Sequence, residues 1–138
     1  MLKDGELLTL GNTTIECVLT PGHSPGVMSF FFQIQDGEKR WNVGYFGGAG
    51  FNTLYKQALE ADGRPLSARE EFLASLAKVR NRKVDIVLGN HPRQNETLEK
   101  RRKMLENPQI NPFIDPEEWH RFCDTMSEQF KAFMDLGN

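Results

Sequence analysis

Three histidines are the side chains of this sequence with the clearest potential for chemistry. His23 lies in the turn Thr20–Gly26, where two prolines and two glycines flank it. Proline fixes φ and glycine permits positive φ, so this turn favours one backbone shape and aims the imidazole in one direction. His91 lies in a comparable loop, Gly89–Pro92, directly after an apolar segment. Because neutral imidazole is the commonest metal ligand, His23 and His91 are candidate metal ligands.

The alternative interpretation of each histidine is structural, as a turn residue that hydrogen-bonds the backbone. His120 differs from the other two, because it lies beside the apolar stripe of a predicted helix and is expected to face solvent. A serine or cysteine hydrolase is not favoured, since Ser24 adjoins His23 too closely to be activated by it and no GxSxG motif is present. The glycines of Gly47–Gly50 fit neither GxxxxGK[ST] nor GxGxxG, which argues against a nucleotide site.

The number of ligands limits what these histidines can do alone. A catalytic zinc site takes about three protein ligands and keeps one position open. The sequence has no HxxxH, no HxH and no cysteine cluster. Its two cysteines, Cys17 and Cys123, are far apart in sequence and are predicted to be small buried apolar residues.

Length and charge limit the class of protein further. The chain has 138 residues, which predicts a single domain spanning 1–138. Its 19 acidic and 17 basic residues give a net charge of −2, which favours neither a nucleic-acid partner nor a membrane surface. No apolar run approaches the roughly 20 residues of a membrane-spanning helix.

The elements that must position these residues begin with strands. Alternating or continuous apolar patterns predict four strands, over residues 7–10, 13–19, 27–35 and 40–46. The turn signals between them indicate an antiparallel meander. One of its faces is strongly aromatic. That face would carry Met28, Phe30, Phe32, Ile34, Trp41, Val43 and Tyr45.

The period then changes to that of helices. Helices are predicted over 51–61, weakly, from Ser67, over 95–106, and from a cap at Asp115 completed by Glu118. Residues 84–88 are predicted to form a strand that is buried on both faces. Within the third helix, Lys100–Lys103 is predicted to be a solvated basic face. The apolar stripe of the last helix is expected to pack on the aromatic face, which gives an α/β fold with helices on one side of a mostly antiparallel sheet.

The turn Thr20–Gly26 resembles the TPGHTPG signature of the metallo-β-lactamase superfamily. Its context is similar too, with Asp4-Gly5-Glu6 before the incoming strand and a strand on either side of the turn. The segment Val84–His91 resembles the later strand whose following loop carries the last metal histidine. Together with Asn111-Pro112-Phe113, it looks closest to the β-lactamase subclass with His-His-His and Asp-His-His zinc sites and its relatives.

This resemblance implies half of an αββα sandwich that holds one or two zinc ions at the sheet edge. His23 would bind the first zinc and His91 the second. A zinc-bound hydroxide would attack an ester, amide or lactam bond in a small-molecule substrate. The resemblance makes β-lactams one candidate substrate. The family's HxHxDH motif is missing and would belong upstream of Met1, so the chain resembles the C-terminal half of the domain. The bridging aspartate of many members is also absent from Asn42–Gly47.

These departures lead to two expectations and two alternatives. With one ligand per zinc, the isolated chain is expected to bind zinc weakly or not at all and to be catalytically inactive. A sheet face without its partner layer is expected to drive a homodimer or a swapped assembly. One alternative is a non-catalytic binding or self-assembly module that has kept the half-fold. The other is a fold that shares only the turn, in which His23 and His91 would lie far apart.

The cellular compartment of the protein would depend on the sequence that precedes Met1. A soluble protein is expected, either periplasmic or secreted or cytoplasmic, according to what precedes Met1.

Overall fold

The structure is a computed structural model that describes residues 2–137. Met1, before which the resemblance places the missing motif, and Asn138 lie outside the described residues. The strands are β1 (Glu6–Leu10), β2 (Thr13–Leu19), β3 (Met28–Asp36), β4 (Lys39–Tyr45) and β5 (Ile86–Leu88). The helices are α1 (Lys56–Ala61), α2 (Ala68–Arg80), α3 (Thr97–Glu106) and α4 (Glu118–Asp135). The predicted α/β fold class is confirmed.

The five strands form one sheet in the order β1-β2-β3-β4-β5. The first four pair antiparallel, as the meander predicts, and β5 pairs parallel with β4. The last strand is shorter than predicted and begins at Ile86. The prediction that it is buried on both faces is wrong at Leu88, which is 40% exposed, because β5 forms an edge of the sheet.

The helices cover one face of the sheet, and it is not the face that the pattern favours. Trp119 of α4 packs edge-on against Phe31 of β3, with ring centroids 5.3 Å apart. A Cβ at Gly44 would lie 3.1 Å from the Trp119 ring. The prediction that α4 packs on the face of Phe30 and Phe32 is therefore wrong. Small residues, Gly44 among them, leave room for the helices on the opposite face.

The side of the sheet that faces away from the helices is called here the aromatic face. Residues opposite each other in the register of neighbouring strands share a face. The apolar members of the aromatic face are Leu8, Leu10, Ile15, Cys17, Leu19, Met28, Phe30, Phe32, Ile34, Trp41, Val43, Tyr45, Ile86 and Leu88. None of the strand residues in the helix-packed core cluster belongs to this set. The sheet face that the helices leave uncovered is therefore the aromatic one, on which Cys17, Val43 and Ile86 are nevertheless buried.

A buried ion pair joins the last two helices. Lys100 of α3 is 8% exposed, so the prediction of a solvated face is wrong at this residue. Its Nζ lies 2.5 Å from Oε1 of Glu118, and burial raises the pKa of that carboxyl. The predicted cap of α4 is wrong as well. Asp115 accepts from the Glu117 N–H, while Glu118 is occupied by Lys100.

Cys17 and Cys123 are both free and buried, as predicted. Burial raises the pKa of the Cys123 thiol to about 12, so this thiol is unreactive at neutral pH. Across residues 2–137, every helix is too short or too polar to cross a membrane.

Candidate functional site

The turn that carries His23 is fixed by side-chain hydrogen bonds to three of its carbonyl groups. Ser75 of α2 donates its hydroxyl to the Pro21 carbonyl over 2.7 Å. The Arg64 guanidinium donates to the carbonyls of Gly22 and of His23, the latter over 2.9 Å. Backbone carbonyls in a partly buried turn need hydrogen-bond partners, and these side chains supply them. The turn is therefore held by side chains from two separate parts of the chain.

The His23 imidazole is oriented by its own hydrogen bond. Its Nδ1 lies 2.7 Å from the carbonyl oxygen of Gly50. A carbonyl only accepts, so Nδ1 carries the proton and donates. The neutral ring then has its lone pair on Nε2, which makes no hydrogen bond among the described residues. This is the arrangement of a metal-ligating histidine, whose second ring nitrogen donates to a carbonyl or carboxylate.

Thr53 supports the same ring. Its hydroxyl donates to the His23 carbonyl over 2.7 Å, and its oxygen lies 3.2 Å from Nδ1. His23 is thus held both at its backbone carbonyl and at Nδ1 of its ring.

Two glycines allow the close approaches on which this geometry depends. Gly22 has φ +138°, and a Cβ there would lie 2.5 Å from Cβ of Phe72 in α2. Gly48 has φ +62°, and a Cβ there would lie 2.7 Å from Cβ of His23. Both positions therefore exclude any side chain.

The His91 loop lies next to the loop that supports His23. The Asn90 amide, oriented so that both its atoms are satisfied, donates to the Phe46 carbonyl and accepts from the Gly48 N–H over 3.0 Å. Because Gly48 contacts His23, the two histidine loops meet at one end of the sheet. The His91 ring itself is exposed and has no hydrogen bond in the described part of the chain. His23 is therefore oriented by its neighbours, whereas the described residues give the His91 ring no such hydrogen-bonded support.

These two histidines do not complete a metal site by themselves. Within residues 2–137, no group of three or more His, Cys, Asp or Glu side chains could hold a metal ion. His120 lies on α4, apart from the histidine loops, and is near Asp124. The donor atoms thus fit a zinc ligand at His23, but their number does not fit a zinc site.

Sequence reasoning missed the residues that position His23. Gly50, Thr53, Arg64, Ser75 and Asn90 have no motif of their own. Gly50, Thr53, Arg64 and Ser75 each contact the turn from 27 to 54 residues away in sequence. The only local signal is the Gly63-Arg64-Pro65 turn, which places the guanidinium at the end of α1.

A cleft of about 500 Å³ opens beyond the His91 loop. It lies between residues 93–96 and α4, and its apolar floor is Phe122 and Met126. Glu96 at its rim has φ +53°, in the left-handed region. The cleft does not include His23 or His91.

The fold resembles solved metallo-β-lactamases. The subclass B3 enzyme of Bradyrhizobium japonicum is 31% identical over 97% of this chain and 49% of that chain, with a TM-score of 0.83. The enzyme of Legionella gormanii is 26% identical over 96% and 50%, with a TM-score of 0.82. That of Elizabethkingia meningoseptica is 21% identical over 97% and 48%, with a TM-score of 0.75.

The chain spans about half the length of the solved structures that it matches. No protein-family model and no curated protein matches the sequence. The resemblance inferred from the turn at His23 is confirmed, and the architecture is that of half a metallo-β-lactamase domain.

Proposed function

We propose that this chain, which has half of a metallo-β-lactamase fold, is the C-terminal portion of a zinc-dependent hydrolase. In that role it would contribute His23 and His91 as metal ligands. The remaining ligands would come from an N-terminal half of the domain that carries the HxHxDH motif. The substrate class would be small molecules with an ester, amide or lactam bond, β-lactams included.

The orientation of His23 is the observation that carries the proposal. A turn histidine with a purely structural role needs only one hydrogen bond to the backbone. Here the Gly50 carbonyl, the Thr53 hydroxyl and the Arg64 guanidinium all act on one residue, and they leave Nε2 available. Rigid support of one ligand atom is what a metal site requires of the residues around it.

Bound zinc would supply Lewis-acid activation of a water molecule and of the scissile bond. The residues of this chain would hold two ligand nitrogens and fix the tautomer of His23. Two imidazoles are fewer than the roughly three ligands that a catalytic site needs. The isolated chain is therefore expected to bind zinc weakly and to hydrolyse nothing.

Nuclear magnetic resonance of the ¹⁵N-labelled chain tests the ligand assignment. Without metal, the His23 ring should be the Nδ1–H tautomer. Added zinc should shift Nε2 of His23 and a ring nitrogen of His91 at high concentration. His120 serves as the internal control, because it lies on a helix away from the two loops, and its ring should not respond.

Zinc binding by single-residue variants completes the test. His23→Ala and His91→Ala should each weaken zinc binding in a competition titration with a chromogenic chelator, while His120→Ala should not. Stoichiometric tight zinc binding by the parent chain, with hydrolysis of a chromogenic cephalosporin, would falsify the half-site. An equal response of all three histidines would contradict the assignment of the ligands.

The second candidate is a non-catalytic binding or self-assembly module with the half-fold. The uncovered aromatic face favours it, since an isolated sheet layer needs a partner. The two candidates differ in the sequence that precedes Met1 in the native gene. An HxHxDH motif there supports the hydrolase, and a native start at Met1 supports the module.

A further inference from the structure

The cleft beyond the His91 loop has the size and the mixed lining of a small-molecule site. Its volume is about 500 Å³, and ligand sites in proteins span about 300–1,000 Å³. Phe122 and Met126 of α4 form its apolar floor, and both are half-buried, so part of each side chain stays open to a ligand. Polar side chains of residues 93–96 and of α4 stand around this floor. A ligand would therefore rest an apolar body on the floor and be oriented by a few polar groups.

The cleft lies in the helix layer, across the sheet from the aromatic face. Phe122 packs against Phe46 and Trp119 of the helix-packed core, with ring centroids 5.9 Å apart in both pairs. A second sheet stacked on the aromatic face would therefore not fill this cleft.

Two of the four charged side chains that line the cleft already have partners. The Glu118 carboxylate pairs with the Lys100 ammonium, and the Arg121 guanidinium donates to the Asp115 carboxylate over 2.5 Å. These two pairs are electrically neutral, so the charge that a ligand meets comes from the other two residues.

Arg93 and Glu96 are those other two residues. Both are exposed, and neither forms an ion pair with another of residues 2–137. Glu96 has φ +53°, a conformation that is unfavourable for a residue with a side chain. Its carboxylate makes no cap hydrogen bond to α3. An unfavourable backbone conformation whose side chain does nothing for the helix points to a role of that side chain outside the fold.

One cation, one anion and an apolar floor in the same cleft favour a zwitterion with an apolar side chain. A guanidinium matches a carboxylate, and a carboxylate accepts strong hydrogen bonds from an ammonium group. We propose that the cleft binds a free α-amino acid with a large apolar side chain. Its carboxylate binds Arg93, its ammonium group binds Glu96, and its side chain packs on Phe122 and Met126.

Gln94 connects this cleft to the His91 loop. Its Oε1 accepts the N–H of Asn90 over 2.7 Å and that of His91 over 3.3 Å, while its side chain lines the cleft. The backbone amides of Asn90 and His91 therefore report a ligand that contacts Gln94. Binding uses neither imidazole and no metal ion, so the site is independent of the zinc proposal.

Titration of the ¹⁵N-labelled chain with L-phenylalanine, in the presence of a chelator, tests the proposal. The Asn90, His91 and Thr125 amide signals should shift and saturate with a dissociation constant of about 1 mM, as expected for a ligand of this size. N-acetyl-L-phenylalanine lacks the ammonium group and L-phenylalaninamide lacks the carboxylate, so each should bind about fivefold more weakly. L-alanine should bind about tenfold more weakly, because it lacks the apolar body.

Variants of the two charged residues identify the partner of each ligand group. Arg93→Gln should weaken L-phenylalanine about fivefold and leave L-phenylalaninamide unchanged. Glu96→Gln should weaken L-phenylalanine and leave N-acetyl-L-phenylalanine unchanged. Arg101→Gln is the matched control, because Arg101 is exposed on α3 outside the cleft, and its variant should bind as the parent does.

Glu96→Gly separates binding from folding. Glycine adopts φ +53° without strain, so this variant should keep or raise the urea midpoint while it weakens the binding of L-phenylalanine. The absence of saturable shifts up to about 20 mM L-phenylalanine would overturn the proposal. Equal binding of L-phenylalanine and its two blocked analogues would also overturn it, because neither charge would then contribute.

Discussion

Replacement of Gly48 by alanine should displace the His23 ring, although both proposed ligand histidines stay in the chain. Gly48 has φ +62°, where an L-residue costs about 1–2 kcal/mol relative to glycine. The new Cβ would also lie 2.7 Å from Cβ and 3.1 Å from Cγ of His23. Overpacking of this kind costs about 1–3 kcal/mol. The expected loss in the free energy of unfolding is therefore about 2–5 kcal/mol.

Gly63→Ala separates the two contributions. Gly63 has the same φ of +62°, but no atom lies within 4 Å of the Cβ that alanine would add. Its variant should lose only the backbone contribution, about 1–2 kcal/mol. The difference between the two variants therefore measures the steric contact of residue 48 with His23.

Urea unfolding of both variants measures these free energies, and the imidazole spectrum reports the ring. Gly48→Ala should shift the His23 Nδ1–H resonance, because the hydrogen bond to the Gly50 carbonyl must lengthen or bend. Gly63→Ala should leave that resonance unchanged. If the two variants agree within about 0.5 kcal/mol and the His23 signal stays in place, the reasoning about a sterically fixed imidazole is wrong.

Two further predictions concern the supports of the site and of the helix layer. Asn90→Ala removes the bridge between the Phe46 carbonyl and the Gly48 N–H, so stability should fall by about 1–3 kcal/mol and the Gly48 amide should exchange faster with deuterium. Lys100→Met leaves the Glu118 carboxylate buried without its partner and should cost about 2–4 kcal/mol in urea unfolding, whereas adding Glu118→Leu should restore most of the loss. Because burial raises the pKa of Glu118 above its unfolded value, its contribution to stability declines as pH rises through the folded pKa. Lys100→Met should therefore lose more stability at pH 7 than at pH 4, and equal losses at both would contradict a buried carboxylate.

The strands were predictable because each alternates or runs apolar between clear turn signals. The β2 pattern over 13–19 matches the observed strand, and β3 and β4 differ from prediction by one residue at each end. Turn chemistry gave the antiparallel order without any long-range information. The fold class follows from this local consistency, whereas the family resemblance rests on the specific residues of the turn at His23.

The choice of sheet face was not predictable from alternation alone. Alternation shows that the sheet has two faces, and the more aromatic face is the one that the sequence predicts to pack against the helices. The decisive signal was the small residues, Ser29 and Gly44, on the poorer face. Ser29 is buried and bonds the Thr20 hydroxyl, while Gly44 admits Trp119. Close approach of a helix needs small residues on the sheet, so the row of large aromatic residues marks the face that the helices leave uncovered.

The positioning residues of His23 were unpredictable for a different reason. Arg64 and Ser75 reach the turn only because α1 and α2 fold back onto it, so no spacing in the sequence records the contact. The number of contacts that hold His23 nevertheless bears on its function. Held carbonyls and a glycine with positive φ all restrain one ring whose Nε2 is left without a partner. This restraint leaves Nε2 accessible and not buried without a partner, which fits the zinc-ligand role proposed for His23.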